Sequence, residues 1–225
     1  MLMFKELYEL WRRDNLLTQA LHDSHVMLET THEMFDESVR SLRQSDEGEM
    51  GIDIYKMDQA VNRYEQKVRR KVLKHLVITG GANVVPGLIL TSIVIDIERV
   101  GDYTKNIMEL AVAHPKRLSC GLSEGDVVKV EEAVSELFNH TLPTLQSSDK
   151  DAARGLIDNH YWLRQVADEI TLRLVKGEGN ATDPAQAAAI GLYARYLKRV
   201  GAHLLNVLSS VVNPFEKMGF HEDDD

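Results

Sequence analysis

Apolar residues recur along the chain at three- and four-residue spacing, and strand-like alternation is scarce, so the sequence reads as all-α. Leu17, Leu21, Leu28, Phe35 and Leu42 put a buried stripe on a first helix running from about Phe4 to Arg43, with a break near Asp14. A polar, glycine-bearing loop follows from Ser45 to Gly51. Ile54, Val61, Val68 and Val72 then mark a second helix from about Ile52 to Val77. Thr79, Gly80 and Gly81 end it, because glycine takes the left-handed backbone that a helix terminus often needs. Pro86 suits the first turn of a third helix, which runs to about Ala113. His114-Pro115 stops it, since proline disfavours helical backbone in the residue before it.

The pattern then repeats. Ser123 with Asp126 looks like a helix start close to a capping box, and the helix continues to about Leu145 with Pro143 near its end. Another helix spans about Lys150 to Lys176, closed by Gly177 and the loop from Glu178 to Thr182. Asp183-Pro184 opens the last helix, with Asp capping free amides and Pro in the first position. It ends before Asn213-Pro214. Ile97 to Ile107 (IERVGDYTKNI) and Leu197 to Val207 (LKRVGAHLLNV) align with a shift of one hundred residues. Arg99/Arg199, Val100/Val200, Gly101/Gly201 and Asn106/Asn206 are identical, each in the third helix of its half. The expected architecture is two tandem three-helix bundles, residues 1–115 and 116–220, followed by an acidic tail at 221–225.

Charge narrows the partners. A net charge of −9 over 225 residues argues against nucleic acid, whose phosphates need clustered Lys and Arg, and disfavours adsorption to anionic lipid. The single cysteine, Cys120, cannot form an intramolecular disulfide, which suits a reducing compartment; it reads as a small buried filler. The N-terminal stretch gains charge at Lys5 and Glu6 and lacks a signal core. The longest apolar run, Val84 to Ile95, contains Pro86 and Gly87 and is shorter than the roughly 20 residues of a membrane span. A cytoplasmic protein without direct membrane insertion is expected.

Candidate chemistry sits in the second and third helices. Glu98 and Asp102 are four apart, so their carboxylates share a face and repel unless something positive lies between them. Asp58, Asn62 and Glu65 form a matching face on the second helix. Oxygen ligands of this kind suit a hard cation; Lys105, Arg63 or Arg99 could equally satisfy them as a solvated face. Gly101 implies close helix approach, because glycine inside a helix costs about 1 kcal/mol relative to Ala. His25, Glu29, His32 and Asp36 flank the stripe of the first helix, and Glu29 to His32 has the E-x-x-H ligand spacing of di-metal bundles, but no second copy occurs. Lys67, Arg70, Lys71 and Lys74 form a basic stripe that could dock an acidic loop or remain a plain surface face. Val26, Met27 and Met34 could meet a second subunit in a homodimer or complete the internal core.

The segment IDIERVGDYTKNI is similar to the third-helix signature of the PhoU family, a D-L-E-R-I-G-D core followed by A-x-N-I. Asp58 to Val68 (DQAVNRYEQKV) resembles the family's second-helix pattern, and Ala194 to Asn206 (ARYLKRVGAHLLN) its second-repeat signature. The resemblance spans both halves. It implies two three-helix bundles and a divalent metal or iron cluster held by Glu98 and Asp102 with Asp58, Asn62 and Glu65. The second half departs from the family pattern: Lys198 and Ala202 replace the acidic pair, and Trp162 and Gln165 stand where acidic ligands would be, so at most one metal site is expected. The implied function is regulation of phosphate uptake or signalling, by binding a membrane phosphate transporter or its sensor kinase. Neither a G-x-x-x-x-G-K-[ST] loop nor an assembled catalytic set is visible, so no enzyme is expected. The rival readings are a di-metal carboxylate bundle for oxidation or metal storage, and an accessory subunit of another ion transporter.

Overall fold

The structure is a computed structural model that describes residues 15–46, 48, 50–114, 116–178 and 183–220. The start of the first expected helix, Pro115, most of the loop before Asp183 and the acidic tail lie outside the described residues. Seven α-helical segments occur among those described, with no strand: α1 Leu16–Gln44, α2 Ile54–Ile78, α3 Val84–Ala113, α4 Glu124–Ser147, α5 Lys150–His160, α6 Leu163–Val175 and α7 Pro184–Val212. Helices α1, α2 and α3 pack on one another as one bundle. In the second, α4, the broken pair α5–α6 and α7 pack on one another, and the bundles meet chiefly where α3 lies against α7, with a smaller contact between α1 and α4.

Local chemistry sets most of the ends. Asn15 caps α1, its side chain accepting from the amides of Leu17 and Thr18 at 2.9 and 3.0 Å. Gly80 and Gly81, both at positive φ, turn the chain out of α2. Asp183 accepts from the Ala185 amide at 3.0 Å ahead of Pro184. Two expectations need correction. Ser123 is the N-cap residue of α4 as expected, but its side chain caps no amide; it closes a short 3-10 turn, and Glu124 instead accepts from the Cys120 amide at 2.7 Å. The single helix expected over 150–176 is broken at Tyr161 and Trp162. There the Trp162 indole N–H donates to the Asn159 carbonyl at 2.7 Å, the acceptor a continuous helix would offer to the amide four residues on.

All five apolar positions of the α1 stripe are buried, as are those of α2. Met27 and Met34 are fully buried as well, so they complete the internal core and are not free for a second subunit. Buried hydroxyls inside the helices are satisfied locally: Thr31, Ser38, Thr104 and Thr141 donate to carbonyls three or four residues back. Gly101 and Gly201 occupy equivalent places. A Cβ on Gly101 would lie 3.3 Å from Thr31 on α1 and 3.5 Å from Val61 on α2; on Gly201 it would lie 2.8 Å from Leu163 on α6 and 3.4 Å from Val134 on α4. Each glycine lets the third helix press against the other two of its own bundle.

Candidate functional site

The 3.6-residue period brings Asp58, Asn62 and Glu65 onto the side of α2 that faces Glu98 and Asp102 on α3. The expected acidic face is assembled, and it contains a cation of the protein's own. Lys105 Nζ lies 2.9 Å from Asp58 Oδ1 and 3.1 Å from Asp102 Oδ1, bridging the two helices. Asn62 donates to the other oxygen of Asp58 at 3.4 Å. Arg99 reaches Asp102 at 3.2 Å and Glu98 at 3.6 Å, while Arg69, one turn beyond Glu65, pairs with it at 2.7 Å. Of the cations expected here Lys105 and Arg99 are in place; Arg63 makes no ion pair among the described residues, and Arg69 serves instead.

Four carboxylates thus face three cations, and Glu98 is the least compensated. Burial first, then the neighbouring Asp102 with Glu65 and Asp58, push its carboxyl above the usual range, and Arg99 opposes this only in part. Burial works against the charge of Lys105, but its hydrogen bonds to Asp58 and Asp102 hold its pKa above the ordinary value. The oxygen donors suit a hard cation chemically. As arranged, with the ammonium seated between Asp58 and Asp102, no group of three or more His, Cys, Asp or Glu among the described residues is set to hold a metal ion.

The corresponding face of the second bundle has different chemistry. Lys198 pairs with Asp168 at 2.5 Å, Gln165 donates to Glu169 at 2.8 Å, and Lys129 sits 4.2 Å from the Trp162 ring centroid. Asp168 escaped notice in the sequence because the expected ligand positions lie one turn earlier. The E-x-x-H stripe of α1 converges only in part: His32 lies 3.6 Å from Asp36 and lines one open groove with it and Glu29, while His25 is buried apart and the His32 ring stacks on Phe138 with centroids 4.8 Å apart. Cys120 is a buried filler whose thiol burial pushes up to about 12. Along the basic stripe, Lys71 pairs with Asp23 at 2.6 Å and Lys67 lies over the Tyr64 ring at 4.6 Å. Arg70 and Lys74 are exposed and meet no carboxylate among the described residues.

Between the bundles runs a polar seam that sequence reasoning missed. His203 Nδ1 lies 2.7 Å from Asp96 Oδ1, which also accepts from Asn206 at 3.1 Å. Arg199 contacts the other ring nitrogen of His203 at 3.1 Å and donates to the Tyr103 hydroxyl at 3.1 Å. With the shift of one hundred, the pair Asp96–His203 maps onto Tyr196–Tyr103, whose rings are also neighbours at 6.3 Å. Antiparallel α3 and α7 therefore cross about a pseudo-two-fold axis. No local signal marks such contacts, since each partner looks like an ordinary surface residue of its own helix.

These features define a class: a duplicated three-helix bundle, joined through its third helices, with one acidic face retained on the first copy. Residues 25–111, most of α1 with all of α2 and nearly all of α3, match the PhoU domain. No curated protein sequence matches the chain. The whole fold resembles that of PhoU from Pseudomonas aeruginosa (TM-score 0.76, 15% identity, 87% of this chain and 95% of that one). It is also similar to the phosphate transport system regulatory protein PhoU from Streptococcus pneumoniae (TM-score 0.74, 14% identity, 87% and 92%).

Proposed function

We propose that the protein is a non-catalytic regulator of phosphate uptake or phosphate signalling, acting on the cytoplasmic side by binding a membrane phosphate transporter or its sensor kinase. The observation that carries this reading is the PhoU-domain match over the first bundle. The likeness of the entire fold to a protein described as a phosphate transport system regulatory protein supports it. No helix among the described residues is long and apolar enough to cross a membrane, which is compatible with a partner that supplies the membrane part. Capture of membrane proteins by the tagged chain, from detergent extracts of cells grown with and without phosphate, tests it. A phosphate transporter or its kinase is the expected partner; a transporter of another ion alone would overturn the assignment in favour of the accessory-subunit reading.

The same proposal includes at most one metal site, made of Glu98 and Asp102 with Asp58, Glu65 and Asn62. Lys105 competes for it, because an ammonium between Asp58 and Asp102 and a hard cation cannot share those oxygens. A divalent ion titrated calorimetrically, Mn²⁺ for example, should bind more tightly to Lys105→Met and not at all to Glu98→Ala/Asp102→Ala. Stoichiometric binding that survives the double substitution would remove the site.

A further inference from the structure

The charge of the chain is unevenly spread. Of its 35 acidic residues none falls between Glu65 and Asp96, the segment that forms the second half of α2, the turn and the first half of α3. That segment carries Lys67, Arg69, Arg70, Lys71 and Lys74. Arg69 and Lys71 are taken by Glu65 and Asp23. Lys67, Arg70 and Lys74, spaced by three and four residues, share the exposed face of α2 and meet no carboxylate among the described residues.

Towards the end of the hairpin the same face turns apolar. Leu73, Val77 and Ile78 are 64, 72 and 76% exposed, and Val84, Val85 and Leu88 of α3 are exposed beside them. Loose packing does not explain this. A Cβ on Gly87 would lie 3.0 Å from Val72 and 3.4 Å from Leu76, so α3 is pressed onto α2 here, and His75 Nε2 meets the Asn83 side chain at 3.3 Å across the turn. The hairpin end is closely packed, with exposed aliphatic side chains at its tip and cations that meet no carboxylate among the described residues just behind them. The corresponding end of the second bundle exposes Leu172 and Val175 too, but among Asp168, Glu169 and Glu178.

We propose that the α2–α3 hairpin end seats the protein on an anionic bilayer surface, with Leu73, Val77 and Ile78 entering the headgroup–acyl boundary and Lys67, Arg70 and Lys74 meeting lipid phosphates. A bilayer interface accepts both parts of the face at once: apolar side chains sink a few ångströms while adjacent cations neutralise headgroups. An acidic protein loop would satisfy the cations alone and leave the aliphatic point in water. The net charge of −9, which argues against lipid for the chain as a whole, does not bear on a segment without acids, because screening confines the interaction to about a Debye length of 8–10 Å. The seat is peripheral and crosses nothing.

Co-sedimentation of the full chain with phosphatidylcholine vesicles, with and without phosphatidylglycerol, tests this. Binding is expected only to the phosphatidylglycerol vesicles and should fall as salt rises. Val77→Asp/Ile78→Asp should weaken it at least about tenfold, and Lys67→Glu/Arg70→Glu/Lys74→Glu by at least about fivefold per reversed cation. All five positions are exposed, and an unchanged circular dichroism melt certifies the fold. Absence of binding to the anionic vesicles, or binding indifferent to both variants, would overturn the proposal. So would binding lost in the charge-reversed variant but kept in the aspartate pair, which would make the contact electrostatic alone, with no aliphatic side chain entering the bilayer boundary. Vesicle binding and detergent-phase capture of a transporter are separate readouts, so this seat and the regulatory role can fail independently.

Discussion

Replacing Arg43 by Met should destabilise the protein by about 3 kcal/mol. The Arg43 side chain is only 10% exposed and ties the end of α1 to three other parts of the chain. It bonds the Leu118 carbonyl in the linker, the Glu124 carboxylate at the start of α4, and Glu131 Oε1 at 2.7 Å one to two turns on. Glu131 also accepts the hydroxyl of the fully buried Tyr193 of α7 at 2.6 Å. Methionine keeps the aliphatic stem and removes the charge, so the loss falls on Glu131, 14% exposed and left with a phenol as its partner. Glu124 is 44% exposed and can return to water at little cost. For a chain of this size about 3 kcal/mol lowers the melting temperature by about 6–12 °C. Burial already holds the Glu131 carboxyl above its ordinary 4.5 despite Tyr193 and Arg43. The folded state therefore binds this proton more tightly than the unfolded one. Its contribution is fully present below pH 4.5 and is lost as pH rises through the folded value. Without Arg43 that value climbs further, so in urea unfolding the deficit of the variant should be larger at about pH 8 than at about pH 5. Adding Glu131→Gln should restore at least half of it, because Gln still accepts from Tyr193 without a charge. A deficit under about 1 kcal/mol, equal at both pH values, or a double variant worse than the single, would refute this account.

Burial, and then His22, lower the pKa of His25 from 6.5 to about 4. Below 6.5 the unfolded chain takes up a proton that the folded chain refuses until about pH 4, so acidification through this window should cost up to about 3 kcal/mol. His25→Gln should flatten the acid limb of a stability–pH profile; an unchanged limb would show that other groups set it. Gly101→Ala should be nearly neutral, because about 1 kcal/mol of helix propensity offsets contacts at 3.3 and 3.5 Å that can relax. Gly201→Ala, whose methyl meets Leu163 at 2.8 and 3.0 Å inside the core, should be the more destabilising by about 1–2 kcal/mol, and reversal of that order by thermal melting would contradict the packing. Asp96→Ala should cost about 2 kcal/mol by stranding His203 and Asn206 at the seam between the bundles; a melt within about 0.5 kcal/mol of the parent would mean that the seam is not what joins them.

How far the sequence could be read depended on how far each signal reaches along the chain. The α1 stripe, the ends at Gly80, Pro184 and Gly177, and the equivalence of Gly101 with Gly201 are written within one or two helical turns, and period and capping chemistry expose them. The acidic face was legible as two faces, one per helix, because i, i+4 and i+7 spacing is also local. That α2 and α3 run antiparallel and bring those faces together follows from the short Thr79–Asn83 connection. What seats itself between them is less legible: Lys105 and Arg63 are equivalent as sequence, and only the helix rotation imposed by packing at Gly101 directs the one inward and leaves the other outside. The break at Tyr161 was hidden for a different reason, since a tryptophan indole competing for a ladder carbonyl carries no propensity signal. The Asp96–His203 contact and the Arg43 node were hidden because their partners lie more than sixty residues apart in sequence. Duplication offers the one route by which such contacts could have been anticipated. Two copies that associate through the same helix must do so about a two-fold axis or expose that helix in one of them. Such an axis sends each residue i of one copy to i + 100 of the other. On that reasoning 96 and 203 should meet wherever 196 and 103 do, and the Tyr103–Tyr196 ring contact is the symmetry companion of the Asp96–His203 pair.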